Sequence, residues 1–131
     1  MSIWTHVAGC IRFDALRLPG MPNQDPSLWI GETNLWDEDN ENSTIPAGSE
    51  GSLDYRVIEN PDTSAMAAYT VVIFGDLRSF ESANEILKWL KSITNGKFVR
   101  QGVVQCDVEY GKRMVFEYHD EKWHEVVVEN A

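Results

Sequence analysis

Three histidines, two cysteines and a run of carboxylates are the residues whose types could do chemistry in this chain. His119 and His124 flank Asp120-Glu121-Lys122-Trp123, and Glu125 follows. Two imidazoles and a carboxylate form a donor set for a divalent transition metal. Spacing alone does not bring the two rings together across a turn, and turn residues are ordinarily solvated. The expectation is therefore no metal and no cofactor. His6 and Cys10 lie four residues apart in a segment that reads as a strand. At strand rise they stand about 13 Å apart, too far for a nucleophile and its base. Cys106 sits in a valine-rich run and reads as a small buried apolar residue. The two cysteines lack C-x-x-C spacing, so reduced thiols in a cytosolic protein are the simpler reading.

The carboxylates are next. Asp37-Glu38-Asp39-Asn40-Glu41 places acids at alternate positions, as the start of a calcium loop does. The sixth position is Asn42 rather than Gly, and the twelfth is Gly48 rather than a bidentate Glu, so the match fails where the geometry is strictest. Gly48-Ser49-Glu50-Gly51 lacks the Lys and the following helix of a phosphate-binding loop, and a turn explains it. No nucleophile–base pair emerges, and the chain is expected not to be an enzyme.

Charge distribution is the stronger signal. The chain has 131 residues, with 11 Lys and Arg against 21 Asp and Glu, for a net charge of −10. Residues 19–55 carry eight acids and no Lys or Arg, and residues 117–131 carry five acids and one Lys. The remainder is balanced. Direct nucleic-acid binding and attachment to an anionic membrane both need clustered cations, so both are disfavoured. A basic protein partner fits better. Trp29, Trp36 and Trp123 fall in the acid-rich segments, and tryptophan is favoured where a large ring is desolvated in binding. The candidate contact surface is therefore Trp29, Trp36, Asp37, Glu38, Asp39, Glu41, Glu121, Trp123 and Glu125. The competing reading of each ring is that it tacks its own loop onto the domain.

These residues must be positioned by a single domain, because the length leaves no room for two. Ile3 to Phe13 alternates, with Val7, Ile11 and Phe13 on one face and His6, Cys10, Arg12 and Asp14 on the other. Residues 19–50 are rich in Pro, Gly and Asn and read as a long acidic insertion, with Asp25-Pro26-Ser27 opening a short helix. Leu53, Tyr55 and Val57 mark a second strand. Tyr69 to Phe74 is unbroken in β-branched and aromatic residues and predicts a central strand buried on both faces. Ser82-Ala83-Asn84-Glu85 fits a capping box, and Ala83, Ile86, Leu87, Leu90 and Ile93 recur at helical spacing up to Asn95-Gly96. Phe98 to Val108 alternates, with Val99 and Val103 on one face and Val104, Cys106 and Val108 on the other. Two further strands follow, 113–118 and 123–128. The class is α+β: a mainly antiparallel sheet with one main helix packed on one face. If residues 26–37 form a helix, the order becomes ferredoxin-like, with a C-terminal hairpin added.

Trp4-Thr5-His6-Val7-Ala8-Gly9-Cys10-Ile11-Arg12, Pro46-Ala47-Gly48-Ser49-Glu50-Gly51-Ser52-Leu53 and the run Tyr69 to Arg78 resemble small uncharacterised proteins of bacteriophages and prophages. The resemblance covers about half of the chain and transfers no catalytic residue. It implies a phage-type accessory protein in the host cytoplasm, where proteins of this size often inhibit or modify host machinery. The resulting expectation is a non-enzymatic protein whose acidic, Trp-bearing surface binds a host protein, with a basic nucleic-acid-binding protein as the natural target. The alternatives are a small-ligand-binding domain and a virion or assembly component acting through homo-oligomerisation along an exposed sheet edge.

Overall fold

A computed structural model describes residues 3–16, 25–28, 30, 45–60, 66–79, 83–111 and 113–128. Its elements are β1 (Trp4–Leu16), a single 3-10 turn (Pro26–Leu28), β2 (Asp54–Asn60), β3 (Met66–Arg78), α1 (Ala83–Thr94), β4 (Val99–Val108), β5 (Arg113–His119) and β6 (Lys122–Val128). The six strands form one sheet in the order β2-β3-β1-β4-β5-β6, and every neighbouring pair is antiparallel. The α+β class and the single main helix are as expected. Among the described residues, no helix is long and apolar enough to cross a membrane.

Strand alternation sets the core. Val7, Ile11, Phe13 and Ala15 of β1 are buried, as are Tyr69, Val71, Ile73 and Leu77 of β3. Ala83, Ile86, Trp89, Leu90 and Ile93 of α1 close over them in the same cluster. These helix positions recur every three or four residues, so one stripe faces the sheet. The helix stops where Gly96 takes φ 72°, a left-handed conformation that glycine adopts without a Cβ penalty. Ser82 of the capping box lies outside the described residues, and the helix begins at the residue after it. Asp25 caps the 3-10 turn: its Oδ1 accepts from the Ser27 amide at 2.9 Å. Ile30 follows this turn and is fully buried in the core.

Two local expectations are corrected. β3 is not buried on both faces: Val72 is half-buried and Phe74 is 43% exposed, because no described element packs on the side of the sheet away from α1. Val99 does not share a face with Val103. A bulge between Arg12 and Phe13 pairs Arg12 with Gln101 and Phe13 with Val99, so Val99 turns toward the core while Val103 points out. The helix needed over 26–37 for a ferredoxin-like order is described only at Pro26–Leu28 and Ile30.

Candidate functional site

Most of the proposed contact residues lie outside the described residues: Trp29, Trp36, Asp37, Glu38, Asp39 and Glu41. The others belong to the β5–β6 hairpin. Glu121 is in its turn and exposed, and Glu125 is exposed on β6. Trp123 is expected on an open surface but is 8% exposed, with its Nε1 donating to Thr94 Oγ1 at 3.0 Å. Its ring also meets Tyr118 edge-on at 5.4 Å. It fastens the hairpin to α1, which is what the competing reading of a tacked-down ring requires. Residues 45–53 of the first acidic segment hold to the end of β3, where the Ser49 amide donates to the Arg78 carbonyl and the Arg78 amide to the Glu50 carbonyl, whereas β6 is the opposite edge of the sheet. Five strand spacings, about 24 Å, separate the two edge strands, β2 and β6.

A groove of about 580 Å³ opens at the C-terminal end of α1, lined by Lys91, Lys97, Phe98, Tyr118, Glu121 and Trp123 among others. It has room for a small ligand, but its lining mixes both charges.

His6 is the best-organised titratable group. Its Nδ1 lies 2.6 Å from Asp76 Oδ1 and its Nε2 lies 3.4 Å from Glu109 Oε2. Sheet register places it there, since His6 pairs with Asp76 across β1–β3 and with Asp107 across β1–β4. The Trp4 amide donates to Glu109 Oε1 at 3.0 Å and orients that carboxylate. The hydrogen bond to Asp76 raises the His6 pKa above its ordinary value against the opposing effect of desolvation, with a weaker upward contribution from Glu109. With a carboxylate at each nitrogen, the ring is an ion-pair partner rather than a base aimed at a nucleophile. Next to it, Asp107 pays some desolvation, but hydrogen bonds from Arg113 and Gln105 outweigh this and hold its carboxyl below the usual range.

A raised histidine pKa gives a stability contribution that is fully present below the unfolded value, about 6.5, and lost as pH rises through the folded value. His6→Asn is therefore expected to be less stable than wild type at pH 5.5 and equal to it at pH 8.5. Denaturant melts at both pH values check this. An equal deficit at both would remove the charge explanation. The effect is small, because His6 is half exposed.

Cys10 and Cys106 are both free. Cys106 faces the core, where burial pushes its thiol up to about 12, so it is inert. Cys10 lies on the opposite face of the sheet, paired with Val72 and Val103.

That outer face is an ordered array of side chains set by the strand register. Register gives it two rows across the strands. One runs Asp54, Phe74, Ala8, Gln105, Val115, Val126, and the other runs Arg56, Val72, Cys10, Val103, Glu117, His124. Phe74, Val103 and Val126 are each more than 40% exposed. Beyond the first row lie Asp76, His6, Asp107 and Arg113, with Glu109 just past the end of β4. Beyond the second lies Arg12, which pairs with Thr70 and Gln101. Arg12 and Arg56 have no ion-pair partner among the described residues. The face thus has an apolar middle with charges of both signs at each end, and Asp54 and Arg56 stand in adjacent rows of β2. Sequence alternation supplied the side of these row residues, but the rows needed the strand order.

Compared with protein-family models, curated proteins and solved structures, the chain finds no significant match in any of the three.

Proposed function

We propose that this chain is a non-enzymatic, phage-type accessory protein acting through protein contacts, built on a ferredoxin-like core with an added hairpin. Its contact surface is the open face of the sheet, and the first occupant of that face is a second copy of the chain. The ferredoxin-like reading is supported by the order β2-β3-β1-β4, with the β3–α1–β4 crossover leaving β1 between its strands.

The observation that carries the dimer is the exposed apolar middle of the outer face, with Asp54 and Arg56 in adjacent rows beside it. A two-fold axis lying between two such sheets, perpendicular to the strands, exchanges the two rows. Asp54 of one copy then meets Arg56 of the other, Phe74 meets Val72, and Ala8 meets Cys10. Phe74, Val72, Ala8 and Cys10 are then desolvated between the two sheets. Edge-to-edge association is less well supported. Edge strand β2 carries Arg56 and Glu59, and β6 carries Lys122 and Glu125, charges that discourage strand addition.

Asp37, Glu38, Asp39, Glu41, Glu121 and Glu125 are not among the residues of the two rows. They supply the negative surface for a basic host protein in the cytoplasm, a nucleic-acid-binding protein being the natural kind.

Sedimentation over a range of concentrations tests the dimer. Val103→Asp is expected to be a monomer, and Arg56→Glu to associate more weakly than wild type. The double variant Asp54→Arg/Arg56→Glu restores the pairing across the axis and is expected to recover. A wild type that stays monomeric throughout, or a double variant no better than the single one, would remove this reading. Neutralising Asp37, Glu38, Asp39 and Glu41 is expected to leave the dimer intact while abolishing salt-sensitive capture of a basic partner.

A further inference from the structure

The β5–β6 hairpin closes on the pair His119–Lys122, with Tyr118–Trp123 and Glu117–His124 behind it. Asp120 and Glu121 form the two-residue turn with φ 54° and 63°, the left-handed pair of a type I′ turn. A loop this short keeps the parity of the strands, so His119 and His124 project from the same outer face. Their rings stack with centroids 3.7 Å apart and planes 7° from parallel. His124 Nε2 lies 3.0 Å from the His119 carbonyl oxygen. A carbonyl only accepts, so Nε2 carries the proton and the Nδ1 lone pair is free. Fixing one nitrogen of a histidine on a backbone carbonyl is how metal-binding imidazoles are commonly oriented. Asp120 Oδ2 lies 3.2 Å from His119 Nδ1. One donor atom from each of His119, Asp120 and His124 falls within 4.8 Å of the other two.

We propose that this hairpin binds one divalent transition-metal ion of the zinc class through His119, Asp120 and His124, with the fourth position open to water. A tetrahedral site with bonds of about 2.0–2.1 Å needs donors about 3.3 Å apart. The contraction from the present spacing is about 1.5 Å, within reach of rotamer changes in side chains as exposed as these. The donor set selects the class. Two imidazoles and one carboxylate suit zinc, nickel, cobalt or copper(II), whereas magnesium and calcium demand oxygen, and copper(I) prefers sulfur. Glu117 Oε2 is 4.0 Å from His119 Nε2 and adds negative charge beside the site. The donors all come from one hairpin of one chain, and His124 is shared with the second row of the outer face.

Calorimetric titration of the full chain with zinc chloride, with magnesium chloride as the control, tests the proposal. The expected result is saturable binding of one zinc per chain and no heat with magnesium. His119→Gln and His124→Gln are each expected to weaken zinc binding at least about tenfold, while His6→Gln leaves it unchanged. Ring-nitrogen NMR of the wild type gives a readout that needs no variant: zinc shifts His119 and His124 and not His6. Zinc binding that survives both glutamine variants would overturn the site. So would the absence of saturable binding, or half an ion per chain with zinc-driven dimerisation.

Discussion

Gly9→Ala is expected to destabilise the fold at the upper end of about 1–3 kcal/mol, lowering the melting temperature by about 10 °C. Gly9 lies in the middle of β1, the strand flanked by β3 and β4, and pairs with Ile73 on one side and Val104 on the other. A Cβ added there would lie 2.3 Å from the Val103 carbonyl oxygen and 2.6 Å from the Val104 Cα. Both are backbone atoms, and a Cβ has no rotamer in which to escape. Relief requires β1 and β4 to separate, which strains the hydrogen bonds at the centre of the sheet. Thermal and denaturant unfolding check the result, with a denaturant slope equal to wild type showing that the folded state is otherwise intact. An alanine variant melting within a degree of wild type would show that the strands separate at no cost.

Trp89→Ala is expected to cost about 3–5 kcal/mol, since the ring is 2% exposed and fills the junction of α1 and the sheet. The more discriminating comparison is with phenylalanine. Trp89 Nε1 is buried and has no hydrogen-bond partner among the described residues. Trp123 Nε1 donates to Thr94 Oγ1, whose hydroxyl in turn donates to the Leu90 carbonyl at 2.7 Å. Trp89→Phe removes a buried donor that lacks a partner, which offsets part of the lost volume. Trp123→Phe removes a made hydrogen bond, a loss of about 1 kcal/mol. The expected order of stability is therefore wild type and Trp89→Phe above Trp123→Phe, although Trp89 is the more buried ring. Equilibrium denaturation of the three proteins decides it, and the reverse order would mean that ring volume governs both positions.

Much of the fold is legible because apolar spacing is a local property. The periods of β1 and α1 reappear in the structure, and the stop at Gly96 follows from its left-handed backbone. The two corrections share one cause. Tyr69 to Phe74 is apolar on both faces, and sequence cannot say that the second face is left uncovered. Val99 looks paired with Val103 until the bulge opposite Arg12 and Phe13 changes parity. Trp123 shows the same limit for the contact surface. Its acidic neighbours say nothing of the helix beneath it, and its place in the core depends on Thr94, 29 residues earlier.

The sequence by itself determined the main secondary elements, the α+β class, the side of most strand residues and the segregation of negative charge. These depend on the order of residues along the chain, and their ranges are a few positions. Tertiary structure alone decided which charges meet. His6 finds Asp76 and Glu109 across separations of 70 and 103 residues, and the two rows of the outer face exist only once the strand order is set. Even His119 and His124, five positions apart, needed the turn geometry, because two left-handed residues fold the hairpin tightly enough to stack their rings. Side-chain chemistry acts over a few ångströms, and the register of distant strands, which no local pattern encodes, sets those distances.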